Sequence, residues 1–268
     1  MRVLRRLSFT LIPLLAIGSG ISADASKSGQ LCAPQRERVD PTEETTEGLI
    51  SKLHSDNEQT RLDAVLRLSL LRSDAAFSAL RAAASDTSEG VRAAAITGLG
   101  KSGNSAFVPA IARALSGDKS VLVRKSAAYA LGRLSGHEST SALSGALRDK
   151  DKEVRAAAII ALAEHRDPSS IGALITKLSD SDPFVREQAA RALGRYGAAS
   201  KAATPTLIEI LMHDREGDVR VEAAKSLGEI ADPDPAAVIA LERAAQDTDP
   251  YLSRAAHRAL QAIRNSKE

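Results

Sequence analysis

Apolar residues recur along most of this chain at helical spacing, and the blocks they form recur in turn. From about Thr45 to the end, each block opens on a polar turn residue and then takes the same form. Calling that residue position 0 places Ser55, Asp86, Asp118, Asp149, Asp180, Asp214 and Asp247 in register, spaced by 31, 32, 31, 31, 34 and 33 residues. Position 5 is Thr60, Val91, Val123, Val154, Val185, Val219 and Leu252, position 9 is alanine in all seven units, and position 13 is leucine in all seven. The i, i+4, i+8 spacing puts these on one helical face. Position 2 is Asn57, Ser88, Ser120, Asp151, Asp182, Glu216 and Asp249. All but Glu216 are good N-caps, whose side-chain oxygen can accept from the bare N–H groups of the first turn. Gly100, Gly132, Gly194 and Gly228 at position 14 read as helix stops.

A second amphipathic segment precedes each frame, for example AFVPAIARALSG (106–117), IGALITKLS (171–179) and TPTLIEILMH (204–213). Each unit is therefore expected to be helix A, a tight turn at position 0, and helix B. One such pair cannot bury both of its apolar faces, so the units must stack. Self-similarity at this period predicts an all-α solenoid of about seven repeats over residues 45–268.

The D-x-x-x-x-V-R-x-x-A-x-x-x-L-G frames, seen in Asp118, Val123, Arg124, Ala127, Leu131 and Gly132, resemble HEAT-like repeats of the short phycobilisome-lyase type. The resemblance covers about residues 45–266 and implies a right-handed superhelix of stacked, armadillo-like helix pairs. It also implies a ladder between neighbouring units, in which the arginine at position 6 pairs with the Asp column. Candidates are Asp86, Arg92, Asp118, Arg124, Asp149, Arg155, Asp180, Arg186, Asp214 and Arg220, with Arg61 ahead of them. Ser55 replaces the Asp in the first unit and Ser253 the Arg in the last, which suits end caps.

The N-terminus has a different grammar. Arg2, Arg5 and Arg6 precede LSFTLIPLLAIGSGISA (7–23), and Ala23-Asp24-Ala25 is an A-x-A site. This predicts a secretory signal over 1–25, a polar disordered linker over 26–44, and an exported protein, periplasmic or secreted, with no membrane span after cleavage. Retention of the segment as an anchor is the alternative. The signal accounts for the basic balance: of 36 basic and 34 acidic residues it holds three and one, which leaves 33 of each. A nucleic-acid binder usually shows a basic excess, so that class loses its support. Cys32 lies too far from the apolar core for a lipoprotein signal, and a single cysteine allows no internal disulfide.

Catalytic patterns are scarce. The Asp–Arg columns recur in nearly every unit, whereas an enzyme needs one site. GLGKSG (98–103) lacks the leading glycine of a phosphate loop, since Ala95 stands there, and a helix rather than a strand precedes it. The resemblance extends to deoxyhypusine hydroxylase, which holds iron through His-Glu pairs, and to phycobilin lyases. Here His137-Glu138 and the reversed Glu164-His165 both lie near loops, and His54, His213 and His257 are scattered. The expectation is no metal site, no cofactor and no catalytic activity. A metal-dependent oxidoreductase of the hydroxylase type and a purely structural spacer are the alternatives.

The remaining candidate is surface. Position 11 of helix B reads Leu66, Thr97, Tyr129, Ile160, Arg191, Lys225 and Arg258, and position 4 adds Leu122, Phe184 and Tyr251. Apolar residues followed by a basic run suggest a stripe for a protein or peptide partner. The competing reading is that Tyr129 and Ile160 pack against adjacent B helices.

Overall fold

The computed structural model describes residues 44–266. The signal, nearly all of the linker and Cys32 lie outside the described residues. Fourteen α-helices make up the described chain, joined by turns and three short 3-10 segments, with no strand among the described residues. They are α1 (Thr46–Lys52), α2 (Glu58–Leu68), α3 (Asp74–Ala83), α4 (Glu89–Lys101), α5 (Val108–Gly117), α6 (Val121–Gly132) and α7 (His137–Ala146). There follow α8 (Lys152–His165), α9 (Ile171–Lys177), α10 (Pro183–Arg195), α11 (Thr204–His213), α12 (Gly217–Ile230), α13 (Pro235–Ala244) and α14 (Pro250–Asn265). Odd-numbered helices are the A helices of seven units and even-numbered ones the B helices. No described helix is long and apolar enough to cross a membrane.

Local chemistry sets the starts of the B helices. Asn57, Ser88, Asp151, Asp182 and Asp249 each accept a first-turn N–H through the side chain. Ser120 occupies the same place without making that bond. Pro183 and Pro250 open α10 and α14, where the missing N–H costs no helical hydrogen bond. The 34-residue step from Asp180 to Asp214 is taken up by the 3-10 turn Gly197–Ala203 ahead of α11.

Each B helix packs against its own A helix and against the B helices on either side. The alanines of position 9 and leucines of position 13 are buried in every unit, and with the A-helix leucines and isoleucines they form one continuous core. Leu99, Leu131, Leu162 and Leu193 are fully enclosed in the middle layers.

Of the position-14 glycines only Gly132 ends its helix. Gly100, Gly194 and Gly228 lie inside their helices and are buried. A Cβ on Gly100 would stand 2.6 Å from Cβ and 2.8 Å from Cα of Ala130, and one on Gly228 would stand 2.7 Å from Cα of Ala259. Gly132, the last residue of α6, meets Ala161 in the same way, at 2.9 Å from its Cβ. Glycine is required here because the next B helix presses its backbone against that turn.

Candidate functional site: the helix-B face

Five rungs hold the turns together from one unit to the next. Arg61, Arg92, Arg124, Arg155 and Arg186 each grip the aspartate of the following unit, Asp86, Asp118, Asp149, Asp180 and Asp214, through Nε and Nη2. For Arg124 the two distances to Asp149 are 2.7 and 3.0 Å. Nη1 of each arginine donates to the backbone carbonyl at position 0 of its own unit, as Arg124 does to Asp118 at 3.0 Å. The same aspartates also accept the N–H two residues on, for example Asp151 N–H to Asp149 Oδ1. Burial works against the charged form of Asp149, but the bonds from Arg124 and Asp151 outweigh it and hold its pKa below the ordinary value. For Asp118 the bond from Arg92 is the largest influence, with the same result.

The sixth rung does not form. Arg220 donates to the Asp214 carbonyl, as its counterparts do, but no ion pair joins it to Asp247 among the described residues. Step length is not the cause: Asp214 to Asp247 is 33 residues, whereas the fifth rung forms across the 34 from Asp180 to Asp214. Ser55 Oγ accepts the Asn57 N–H, so it keeps the aspartate's local role without the cross-unit one.

Two aromatic side chains at position 16 add a second set of ties. His165 Nε2 lies 3.0 Å from the Leu131 carbonyl and its Nδ1 lies 3.2 Å from Thr140 Oγ1. One unit later Tyr196 Oη donates to the Leu162 carbonyl at 2.8 Å and meets Ser170 Oγ at 2.7 Å. Both bonds reach a carbonyl in the last turn of the preceding B helix, adding a second donor to the local N–H it already accepts from Leu134 or Arg166. This places His165 in the structure of the stack. His137 and Glu138 are exposed at the start of α7. Among the described residues no three His, Cys, Asp or Glu side chains converge on a point.

The outer surface of the B helices differs from the rest. Seven large apolar side chains are exposed among the described residues, and five stand on B helices: Leu66, Leu122, Tyr129, Phe184 and Tyr251. Leu70 follows the end of α2, and Ile239 alone lies on an A helix. Tyr129 is 47% exposed, whereas Ile160 is half-buried against its neighbours, so the two residues of the candidate stripe part company. Along position 4 the exposed residues alternate from unit to unit: Leu122, Glu153, Phe184, Asp218, Tyr251. The apolar members fall on every second repeat.

The basic half of the stripe is unevenly neutralised. Arg191 is not a free cation: Nη2 lies 2.6 Å from Glu187 and Nε lies 3.0 Å from Glu222 on the next B helix. Lys225 shares Glu222 at 2.9 Å. Lys125–Glu153 and Arg195–Glu164 likewise tie α6 to α8 and α8 to α10. Arg258 enters no ion pair among the described residues. It lines a groove of about 580 Å3 between α12 and α14, together with Lys225, Tyr251 and Arg254. Sequence reading passed over Arg254 and Glu222. The first is visible only once α14 is seen to be the end of the row, and the second only through its partners.

These observations define an α-solenoid built from helical hairpins. The family model for HEAT repeats matches residues 45–131, 85–152, 140–213 and 204–268, and the chain belongs to that family. An Escherichia coli protein, YibA, is similar at a TM-score of 0.63 and 21% identity, over 82% of this chain and 81% of its own. The CpcE–CpcF complex of phycocyanin lyase from Nostoc sp. PCC7120 is similar at a TM-score of 0.50 and 21% identity, over 86% of this chain and 99% of that one. An engineered protein matches at 0.52 and 23% identity, over 82% of this chain and 68% of its own. At these identities the likeness shows the fold alone. No curated protein matches the chain.

Proposed function

We propose that the protein is an exported, non-catalytic scaffold that captures a segment of another protein along its helix-B face. The observation that carries this reading is the distribution of exposed apolar side chains. Burying Leu122, Tyr129, Phe184 and Tyr251 against a partner removes apolar surface that the free protein leaves in water, at about 25 cal/mol per Å2. The A face has Ile239 alone to offer. The side-by-side packing of consecutive B helices adds to this, because a segment lying along the row meets several units at once. HEAT repeats as a class suit protein binding, and the signal-like pattern of residues 1–25 supports an exported compartment.

The test compares three variants, Tyr129→Ser, Phe184→Ser and Ile239→Ser, as bait in chemical crosslinking against envelope extract of the source organism. The first two are expected to lose a discrete crosslinked product that wild type forms, with melting temperature unchanged, while Ile239→Ser keeps it. Equal retention by all three variants would refute the B-face reading. Amino-terminal sequencing of the exported protein checks the compartment, and a mature chain beginning at Ser26 is the expected result.

A further inference from the structure

We infer that the groove between α12 and α14 is the anchoring pocket for an acidic, apolar-bearing stretch of a protein partner, taking a carboxylate and an adjoining hydrophobic side chain together. The inference rests on the proposed helix-B function and gives its partner a chemistry.

The floor of the groove is apolar and made of small residues. Gly228 and Ala259 bring the two helices to backbone contact, and Val221, Ala255 and Ala262 complete the lining. About 580 Å3 is room for one or two side chains. The rim is cationic. Lys225, Arg254 and Arg258 face Glu229, the one acidic residue of the lining. Lys225 already shares Glu222 with Arg191, so Arg254 and Arg258 hold the charge left over.

Arg254 is also held in place. Its Nε donates to the Pro250 carbonyl at 3.0 Å, and its guanidinium stacks on the Tyr251 ring at 5.0 Å from the centroid. A guanidinium has five N–H donors in a rigid fork, so this arrangement leaves others free for a carboxylate without a further loss of rotamer freedom. Tyr251, 68% exposed, is the apolar contact beside it. The wider helix repeats the sign: α14 carries Arg254, His257, Arg258 and Arg264 and no acidic residue, in a repeat array whose remaining residues lean slightly acidic. Capping repeats need a polar outer face, but that need is met by either sign. The excess of one sign, next to an apolar floor, points to an acidic ligand.

The probes are three fluorescein-labelled octapeptides: alternating Glu-Leu-Glu-Phe, alternating Lys-Leu-Lys-Phe, and Gly-Ser. Fluorescence polarisation with the full mature chain is expected to show saturable binding of the acidic peptide alone. Arg254→Glu and Arg258→Glu, with unchanged circular dichroism, are each expected to weaken it by about tenfold. Glu229→Gln removes the one opposing charge and is expected to strengthen binding by about threefold, a gain that misfolding cannot produce. Binding that persists in both arginine variants, binding of the basic peptide equally well, or no acidic binding would overturn the inference. So would an Arg258-dependent capture of phosphatidylglycerol vesicles without peptide binding, which would assign the patch to a membrane surface. Failure here with the Tyr129 and Phe184 crosslinks intact leaves the B-face reading standing. Acidic binding at the groove with those crosslinks unaffected by Tyr129→Ser and Phe184→Ser upholds the inference and confines capture to the α12–α14 end of the B face.

Discussion

Replacing Arg124 by alanine removes the centre of one rung. The side chain is 5% exposed and its partner Asp149 is 11% exposed, so little water screens the pair. Four bonds vanish together: two to Asp149, one to the Asp118 carbonyl and one to the Lys119 carbonyl at 3.3 Å. Asp149 keeps only the Asp151 N–H and is left as a nearly buried, unpaired charge. Breaking such a pair from one side costs about 3–5 kcal/mol. The lower end, about 3 kcal/mol, is expected because the turn can admit water once the guanidinium is gone. Arg124→Lys is expected to recover less than half of this, since an ammonium cannot bridge both carboxylate oxygens and the carbonyls together. The sign with pH follows from Asp149, whose folded pKa lies below its ordinary 3.8. That stabilisation is present above the unfolded value and is lost as pH falls through the folded one. The variant has less of it to lose, so the gap between wild type and Arg124→Ala narrows on acidification. Urea titrations followed by far-ultraviolet circular dichroism at about pH 7 and about pH 3 check both statements. A loss under about 0.5 kcal/mol at neutral pH, or an equal loss at both, would refute the reasoning, because an exposed and solvated arginine behaves that way.

Other outcomes follow from the same stack. Leu131→Ala and Leu193→Ala are expected to cost about 2–5 kcal/mol in urea titrations, and Leu260→Ala less, because its layer has one neighbour and is already 8% exposed. Gly100→Ala drives a Cβ into Ala130 and is expected to destabilise by about 1–3 kcal/mol, with a lower melting temperature. Gly145→Ala, in α7 with nothing within 4 Å of the new Cβ, is expected to stabilise by about 0.5–1 kcal/mol.

The fold was legible because every unit repeats the same local instructions. The caps, the inward alanines and leucines, and the A-helix segments are properties of one helix or one turn, and seven copies average out the noise. What depends on a neighbouring unit was harder to read. The position-14 glycines look like stops within their own helix, and only the adjacent Ala130 or Ala259 shows them to be contacts. Arg220 fits the ladder column, yet no ion pair joins it to Asp247 among the described residues, although Arg186 reaches Asp214 across a longer step. Position 16 carried a partial signal: Leu71, Leu134, Ile230 and Ile263 are apolar there, while Ser102, His165 and Tyr196 depart from them, the last two in consecutive units. On the B face, exposure separates Tyr129 from Ile160, and ion pairing separates Arg191 from Arg258. Neither distinction is written in spacing, because both depend on what the next helix presents.

The central claim is that the B face is the side that meets a protein partner. A photo-crosslinking amino acid placed at Phe184, and separately at Ile239, tests it most directly in living cells of the source organism. Both positions are exposed and apolar in the free protein, at 47% and 66%, so reactivity alone favours Ile239. The account predicts a discrete, reproducible adduct from position 184 and none from position 239. The reverse pattern, or the same adduct from both, would contradict it.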